Sequence, residues 1–295
     1  MPTCYPIIQI KPEWVLQQEA LGSKEKFWYR EDDEVSRWLF KFPEPNTGQH
    51  WAEKIAAEIA SRMGMRHAQV ELAVFKEERG SATESFVKEG ELWHGNQILA
   101  GKVFGYSSER RFRHNEHTLE RIFQALDATF AAQAGRRRAK QEISDYLVLD
   151  AVIGNTDRHH ENWAILRKRV RGSWRGMIAP TFDHASSLGR ELLDTTKSRI
   201  LKEEGIGRYV EKGPGAIYIL GTEKKGPSPL QLVRTASQLY PDSFRPALAR
   251  VEQISEVAID EILTRMPSGW MTEIAVDFVR GFLAYSVSEL LRLKQ

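Results

Sequence analysis

The segment VIGNTDRHHENWAIL, residues 152–166, sets an Asp, an Arg, two His, a Glu and an Asn between two apolar runs. Ionisable groups bracketed by Val, Ile and Leu are held in place rather than merely solvated. Asp157 and Asn162 stand five positions apart, and Asp183 closes the later apolar run MIAPTF. Two carboxylates and a carboxamide are hard oxygen donors, the set that suits Mg²⁺. Mg²⁺ takes few protein ligands and fills its shell with water and phosphate oxygens, so this trio fits a nucleotide site better than a closed structural ion.

Phosphoryl transfer asks for a carboxylate to orient the attacking hydroxyl and accept its proton, and for ligands to the metals that bridge the phosphates. The protein-kinase catalytic loop spaces its Asp and Asn by five. Here Asp157 takes the place of the base, His159 the basic position two residues on, and Asn162 and Asp183 the metal positions. The same plan makes demands upstream. It needs a strand lysine for the phosphates, and Lys41 lies in WLFKFP. It needs a helix carboxylate to pair with that lysine, and Glu53 opens a helix away from its apolar stripe. It needs a phosphate-covering turn before the lysine strand, and ALGSKEKFW offers Gly22, Ser23 and Lys26. Taken singly these residues say little: Lys41 also fits an edge-strand charge, and Glu53 a favourable acid in a first helical turn. Their order along the chain carries the signal.

The elements that must position them can be read from periodicity. KFWYRE (26–31) and SRWLFKFP (36–43) read as strands around an acidic hairpin tip, and AQVELAVF (68–75) and ESFVKEG (84–90) as further strands. Between them Trp51, Ile55, Ile59 and Met63 recur every four residues, the mark of an amphipathic helix ended by Gly64. After residue 90 the pattern turns helical. Leu119–Phe130 and 141–154 form two helices, the second running straight into the loop, and NWAILRK with RGMIAPTFD form a hairpin. From residue 229 onward helices dominate. The expected fold is α+β and bilobal, protein-kinase-like: a small β-rich N-lobe with one main helix over residues 1–90, and a larger α-helical C-lobe over 91–295.

Composition sets outer bounds. The chain of 295 residues carries 42 basic and 40 acidic residues, for a formal charge of +2. That balance gives no global electrostatic case for direct nucleic-acid binding. The basic stretches SERRFRH (108–114) and GRRRAK (135–140) read as solvated faces. The single cysteine, Cys4, excludes an internal disulfide and a multi-cysteine metal site. No signal peptide and no apolar run long enough for a membrane span is evident. A cytoplasmic protein without a membrane partner is expected.

NTDRHHEN followed by FDHASSL resembles the HipA-like serine/threonine kinases, bacterial proteins distantly similar to phosphatidylinositol 3/4-kinases, which share the Asp-Arg-His-x-x-Asn run. LGSKEKF is similar to that family's phosphate loop, and WMTEIAVDFVRGFLAY to its C-terminal helix. The resemblance implies a kinase using ATP and Mg²⁺ to phosphorylate Ser or Thr of a protein substrate. Asp157 would be its base, Asn162 and Asp183 its metal ligands, Lys41 its phosphate lysine paired with Glu53. The adenine hinge would lie near Phe86, Lys88 and Gly90. Short, HipT-like toxin-type members imply an antitoxin protein as partner and Ser23 as an autophosphorylation site. Two departures stand out. The metal triplet is Asp183-His184-Ala185, without the protein-kinase Gly. Glu161 precedes Asn162 where Lys is common, which leaves Arg158, His159 or Lys26 to offset the γ-phosphate charge.

Three other functions compete. The Asp-Arg-His-x-x-Asn run equally permits a lipid or small-alcohol kinase. Asp157, His159, His160, Asp183 and His184 could instead build a metal-dependent phosphohydrolase, which leaves Lys41, Glu53 and the glycine turn without a role. A nucleotide-binding scaffold without activity is the last, and nothing in the residues favours it.

Overall fold

The computed structural model describes residues 3–18, 25–32, 34–110 and 113–294. Gly22 and Ser23 lie outside the described residues.

The β-rich part is a six-stranded sheet built from β1 (Ile7–Ile10), β2 (Val15–Gln18), β3 (Lys26–Tyr29), β4 (Trp38–Lys41), β5 (Val70–Phe75) and β6 (Glu78–Glu84), with α1 (Gln49–Arg62) inserted between β4 and β5. The strand order is β1-β5-β6-β4-β3-β2. All neighbours are antiparallel except β1, which pairs with β5 in parallel.

Alternation along these strands separates two surfaces. Phe27, Tyr29, Trp38 and Phe40 pack with Ala73 and Ala82 into a small core on one face. On β3 and β4 the intervening residues Lys26, Trp28, Leu39 and Lys41 point to the other.

The strand expected over 84–90 is displaced. β6 is Glu78–Glu84, and residues 85–87 form no regular element. Gly, Ser and Ala are weak strand formers, so RGSAT gives little β signal. It is nevertheless an interior strand, paired with β5 on one side and β4 on the other, with Gly80, Ser81 and Ala82 buried. Bulk is excluded there: a Cβ at Gly80 would lie 2.4 Å from the Phe40 ring. Pairing on both edges outweighs propensity.

The apolar stripe of α1 is buried as its spacing predicts, and Glu53 and Lys54 are buried too. The helix lies between the sheet and the helical part of the molecule, and its core residues belong to one cluster that continues into the helices beyond.

The rest of the chain comprises β7 (Glu91–His94), α2 (Gly95–Lys102), α3 (Leu119–Thr129), α4 (Gln133–Ile153), β8 (Ala164–Val170), β9 (Ser173–Ile178), α5 (Asp194–Lys202), α6 (Ile206–Lys212), α7 (Pro229–Leu239), α8 (Pro241–Arg250), α9 (Glu256–Thr264) and α10 (Glu273–Arg292). β7, β8 and β9 form a separate three-stranded sheet. The buried helix α4 begins earlier than expected, taking in the GRRRAK stretch, whose Arg136, Arg137 and Arg138 are exposed.

It ends at Gly154 with φ 65°, where a Cβ would lie 2.3 Å from the Phe282 ring of α10. Only glycine satisfies both the left-handed turn and that approach. The chain is thereby turned into the acidic and basic loop at a fixed angle.

Beneath that loop sits a histidine cluster. His117 is buried, with Nδ1 3.0 Å from the Ala216 carbonyl and Nε2 3.2 Å from Trp163 Nε1. An indole N–H can only donate, so Nε2 must accept and Nδ1 carries the proton. A second proton would set N–H against N–H. Burial, and then the neighbouring His160, His114 and His159, push this imidazole down to about 3, against a bond to Ala216 that favours protonation.

The unfolded chain therefore takes up this proton near pH 6.5 and the folded chain only near pH 3. Stability is full above pH 6.5 and is lost as pH falls between those values. From pH 7 to pH 5 the loss attributable to His117 is about 2 kcal/mol. Urea titrations should show wild type losing that much more than His117→Gln over this interval; equal losses would contradict the assignment.

Candidate functional site

The cationic end of the site follows from register. Lys26 and Lys41 are cross-strand partners, as are Trp28 and Leu39 two pairs further along. All four share a face, so an apolar pair lies about 7 Å along the strand from a pair of lysines. Like charges directly opposed on a sheet repel, and an anion between them removes that cost.

This face forms one wall of a cavity of about 500 Å³, within the range of small-molecule sites. Phe86 and Val87, in the segment after β6, and Leu92 on β7 continue the apolar wall, and Phe182 closes it from the helical side. His94, Asn96 and Gln97 line it from the start of α2.

Facing the lysines, Asn162 and Asp183 line the same cavity, with Glu161 beside them. Lys41 Nζ donates to Asp183 Oδ1 at 2.9 Å. Burial alone would push the Lys41 ammonium down, but Asp183 and then Glu53 outweigh it and hold its pKa above the ordinary lysine value. Asp183 has φ 60°, a left-handed conformation that Asp tolerates better than most residues. The Asn162 amide donates to the Asp157 carbonyl at 2.8 Å, which leaves its own carbonyl oxygen to serve the cavity. Asp183, Asn162 and Glu161 thus offer only oxygen donors, as Mg²⁺ requires.

Several expected placements differ. The ion pair expected between Lys41 and Glu53 is not formed: Lys41 is engaged by Asp183. The fully buried Glu53 accepts from the His184 backbone N–H at 2.9 Å, with His184 Nδ1 at 3.4 Å. Burial raises the Glu53 carboxyl, yet the His184 hydrogen bond and then Lys41 prevail and hold it below the ordinary carboxylate range. Its Oε2 is buried without a hydrogen-bond partner.

Phe86 lines the cavity, but Lys88 and Gly90 do not. Lys88 is exposed, and Gly90, at φ 88°, lies where a Cβ would meet the Arg167 carbonyl at 2.2 Å. The segment that lines the cavity is 83–87.

His159 is buried, accepts from the Glu161 backbone N–H at Nδ1, and approaches Asp157 Oδ1 only to 4.0 Å. His160 is buried with Tyr106 Oη 2.9 Å from its Nδ1. Asp157 itself is outside the cavity wall, with its side chain about 36% exposed. Gly22 and Ser23 fall outside the described residues.

Arg158 cannot offset phosphate charge, because every nitrogen is committed. Nε and Nη2 each donate to Asp150 on α4 at 2.7 Å, and Nη2 reaches Thr181 Oγ1 at 3.1 Å. Nη1 donates to the carbonyls of Asn162 at 2.7 Å and Phe182 at 3.2 Å. One buried side chain therefore ties the helix before the loop to the end of the loop and to the residue before Asp183.

Neither this role nor the apolar wall was read from the sequence. The wall had a signal, since Trp28 and Leu39 share the two-residue period of Lys26 and Lys41. The arginine had none, because spacing does not distinguish an inward guanidinium from an outward one.

A family model described as HipA-like C-terminal domain matches residues 18–268, and the chain belongs to that family. The crystal structure of the proinflammatory kinase CtkA from Helicobacter pylori is similar at a TM-score of 0.78 and 20% sequence identity, covering 98% of this chain and 97% of that one. HipA of the Shewanella oneidensis MR-1 toxin–antitoxin system, solved with HipB and operator DNA, is similar at a TM-score of 0.54 and 17% identity. That match covers 95% of this chain and 62% of the HipA chain. The fold is therefore kinase-like, as expected. None of the curated proteins compared with the chain matches it.

Removing one partner of a buried pair leaves the other charged and stranded. Arg158→Ala should cost about 3–5 kcal/mol in urea unfolding, and Asp150→Leu/Arg158→Met should recover much of it. A loss below about 1 kcal/mol in the single variant would remove Arg158 as the organiser of the loop.

Proposed function

We propose that this member of the HipA-like C-terminal domain family is a kinase that uses ATP and Mg²⁺ to phosphorylate a Ser or Thr hydroxyl of a protein substrate. The observation that carries the reading is the ordered wall of the cavity: an apolar pair, Trp28 and Leu39, one step from a lysine pair, Lys26 and Lys41, facing the oxygens of Asn162 and Asp183. Flat apolar surface for a base, cations for phosphates and hard donors for a divalent ion follow one another in the order in which a nucleotide presents those groups.

The fit extends to the buried shell. Glu53 Oε2 is an unpartnered carboxylate oxygen inside the protein, near enough for its charge to act on Lys41. A cation bound by Asp183 would compete with Lys41 for that carboxylate, and Glu53 then offers the lysine a second acceptor. Bound Mg²⁺ and ATP would supply the phosphoryl group and neutralise its charge.

The protein's own contributions are distinct. Lys26 and Lys41 hold phosphate oxygens, and Phe86, Leu92 and Phe182 exclude water from the base end. Asn162 is oriented by its bond to the Asp157 carbonyl, and Asp157, half-buried outside the cavity, accepts the proton of the acceptor hydroxyl.

The phosphohydrolase reading needs His159, His160 and His184 at an ion. None of them lines the cavity: His159 and His160 are buried in the loop, and His184 lies between Thr181 Oγ1 and Glu53.

HipB accompanies HipA in the Shewanella complex, and on that likeness we assign an antitoxin protein as the natural partner. No helix among the described residues is long and apolar enough to cross a membrane.

Two substitutions separate the roles. Asp157→Ala should lower transfer of ³²P from [γ-³²P]ATP to protein by about 10²–10⁴-fold while calorimetric ATP affinity changes little. Lys41→Ala should weaken both. Transfer surviving in Asp157→Ala, or ATP affinity surviving in Lys41→Ala, would contradict these roles. Label appearing in a lipid extract rather than in protein would move the acceptor to the alternative class.

A further inference from the structure

The loop carrying Asp157 has a second cavity on its other side. This cavity, of about 450 Å³, is lined by Thr156 from the loop, by Ser186 and Arg190 from the segment after Asp183, and by Tyr209 and Lys212 from α6. Residues 161 and 162 line the nucleotide cavity and residue 156 lines this one, so the proposed base sits on the stretch of chain between the two.

Its walls are fixed. The Thr156 N–H donates to the Ser186 carbonyl at 3.3 Å, and Leu188 N–H to the Ile153 carbonyl at 2.9 Å. A Cβ at Gly213 would already touch Thr156 at 3.3 Å. The space is therefore shaped by the catalytic loop itself.

The charge of the cavity is one-sided. Its one carboxylate, Glu191, is committed to the Tyr209 hydroxyl, which donates to it at 2.6 Å. Arg190 reaches Ser186 Oγ at 3.3 Å and Glu44 only at 3.6 Å, and its buried Nε–H has no acceptor. Lys212 forms no ion pair among the described residues. Two cations with spare donors thus flank a cavity one residue from the proposed base. An incoming carboxylate would pair with the guanidinium and the ammonium that line this cavity.

We propose that this cavity is the acceptor-side specificity site, and that it selects polypeptides bearing a Glu or Asp within about three residues of the phosphorylated Ser or Thr. Extended chain advances about 3.3 Å per residue, so such a side chain reaches Arg190 and Lys212 while the hydroxyl lies at Asp157. The proposal rests on the kinase reading above and names the substrate class of that site.

The test is a positional-scanning Ser/Thr peptide library with [γ-³²P]ATP, run on the full chain. Wild type should favour Glu or Asp at one flanking position by about tenfold or more in kcat/KM over Ala, with the gain in KM. Lys212→Glu should abolish that preference or reverse it toward Lys and Arg, with ATP affinity and neutral-peptide turnover unchanged. Arg190→Gln should reduce it.

Transfer without any acidic preference in wild type would overturn this proposal and leave the kinase reading standing; the wild-type library decides this without any variant having to fold. Preference for phosphoserine over Glu at the same position would overturn the carboxylate as the recognised group. Absence of transfer to every peptide and protein, with ATP bound, would overturn the kinase reading and this proposal with it.

Discussion

The guanidinium of Arg158 is the constraint on which the site depends. A buried arginine is stabilising only when desolvation is offset at every donor, and here Asp150, Thr181 and the carbonyls of Asn162 and Phe182 all serve. Burial acts to lower its pKa, but the Asp150 carboxylate beside it outweighs that and holds the guanidinium charged. Because its acceptors belong to α4, to the end of the loop and to the residue before Asp183, the three cannot shift independently. Asn162 and Asp183, distant along the chain, are thereby held together at one cavity, facing the lysines. Gly154 fixes how the chain enters this arrangement, and the histidine cluster packs beneath it.

A second layer of electrostatics links the sheet to the loop. Lys41 on β4 holds Asp183, and Glu53 on α1 holds the next residue, His184, through its backbone N–H. Both carboxylates act on the same lysine, yet only one contacts it. A cation bound at Asp183, as proposed, would leave Glu53 as the nearby carboxylate for Lys41. The left-handed backbone at Asp183 serves both contacts, since the carboxylate meets the sheet while the His184 N–H meets α1.

Much of this was legible in the residues alone. Lys26, Lys41, Phe86, Asn162 and Asp183 were singled out from spacing, order and resemblance, and they meet at one cavity. The four-residue period of α1 was legible because apolar burial imposes it directly. The location of β6 was not: its Gly80, Ser81 and Ala82 carry little β signal, and the tight space beside Phe40 accounts for the glycine. The expected Lys41–Glu53 contact failed because sequence order cannot say which of two nearby carboxylates a lysine meets. Lys88 and Gly90 were placed at the nucleotide because the strand before them was set too late, which moved the cavity-lining segment with it. The second cavity left no trace in the sequence, since Thr156, Arg190 and Lys212 share no motif and meet only through the packing of α6 beside the loop.

In the proposed function a single cavity between the sheet and the loop receives a nucleotide base at one end and its metal-bound phosphates at the other. The most direct measurement is a crystal structure of the protein with Mg²⁺ and a non-hydrolysable ATP analogue. The account predicts the base against Trp28, Leu39 and Phe182, phosphate oxygens at Lys26 and Lys41, and metal bound by Asn162 and Asp183. Nucleotide bound elsewhere, or bound here with its phosphates directed away from Asp183, would contradict it.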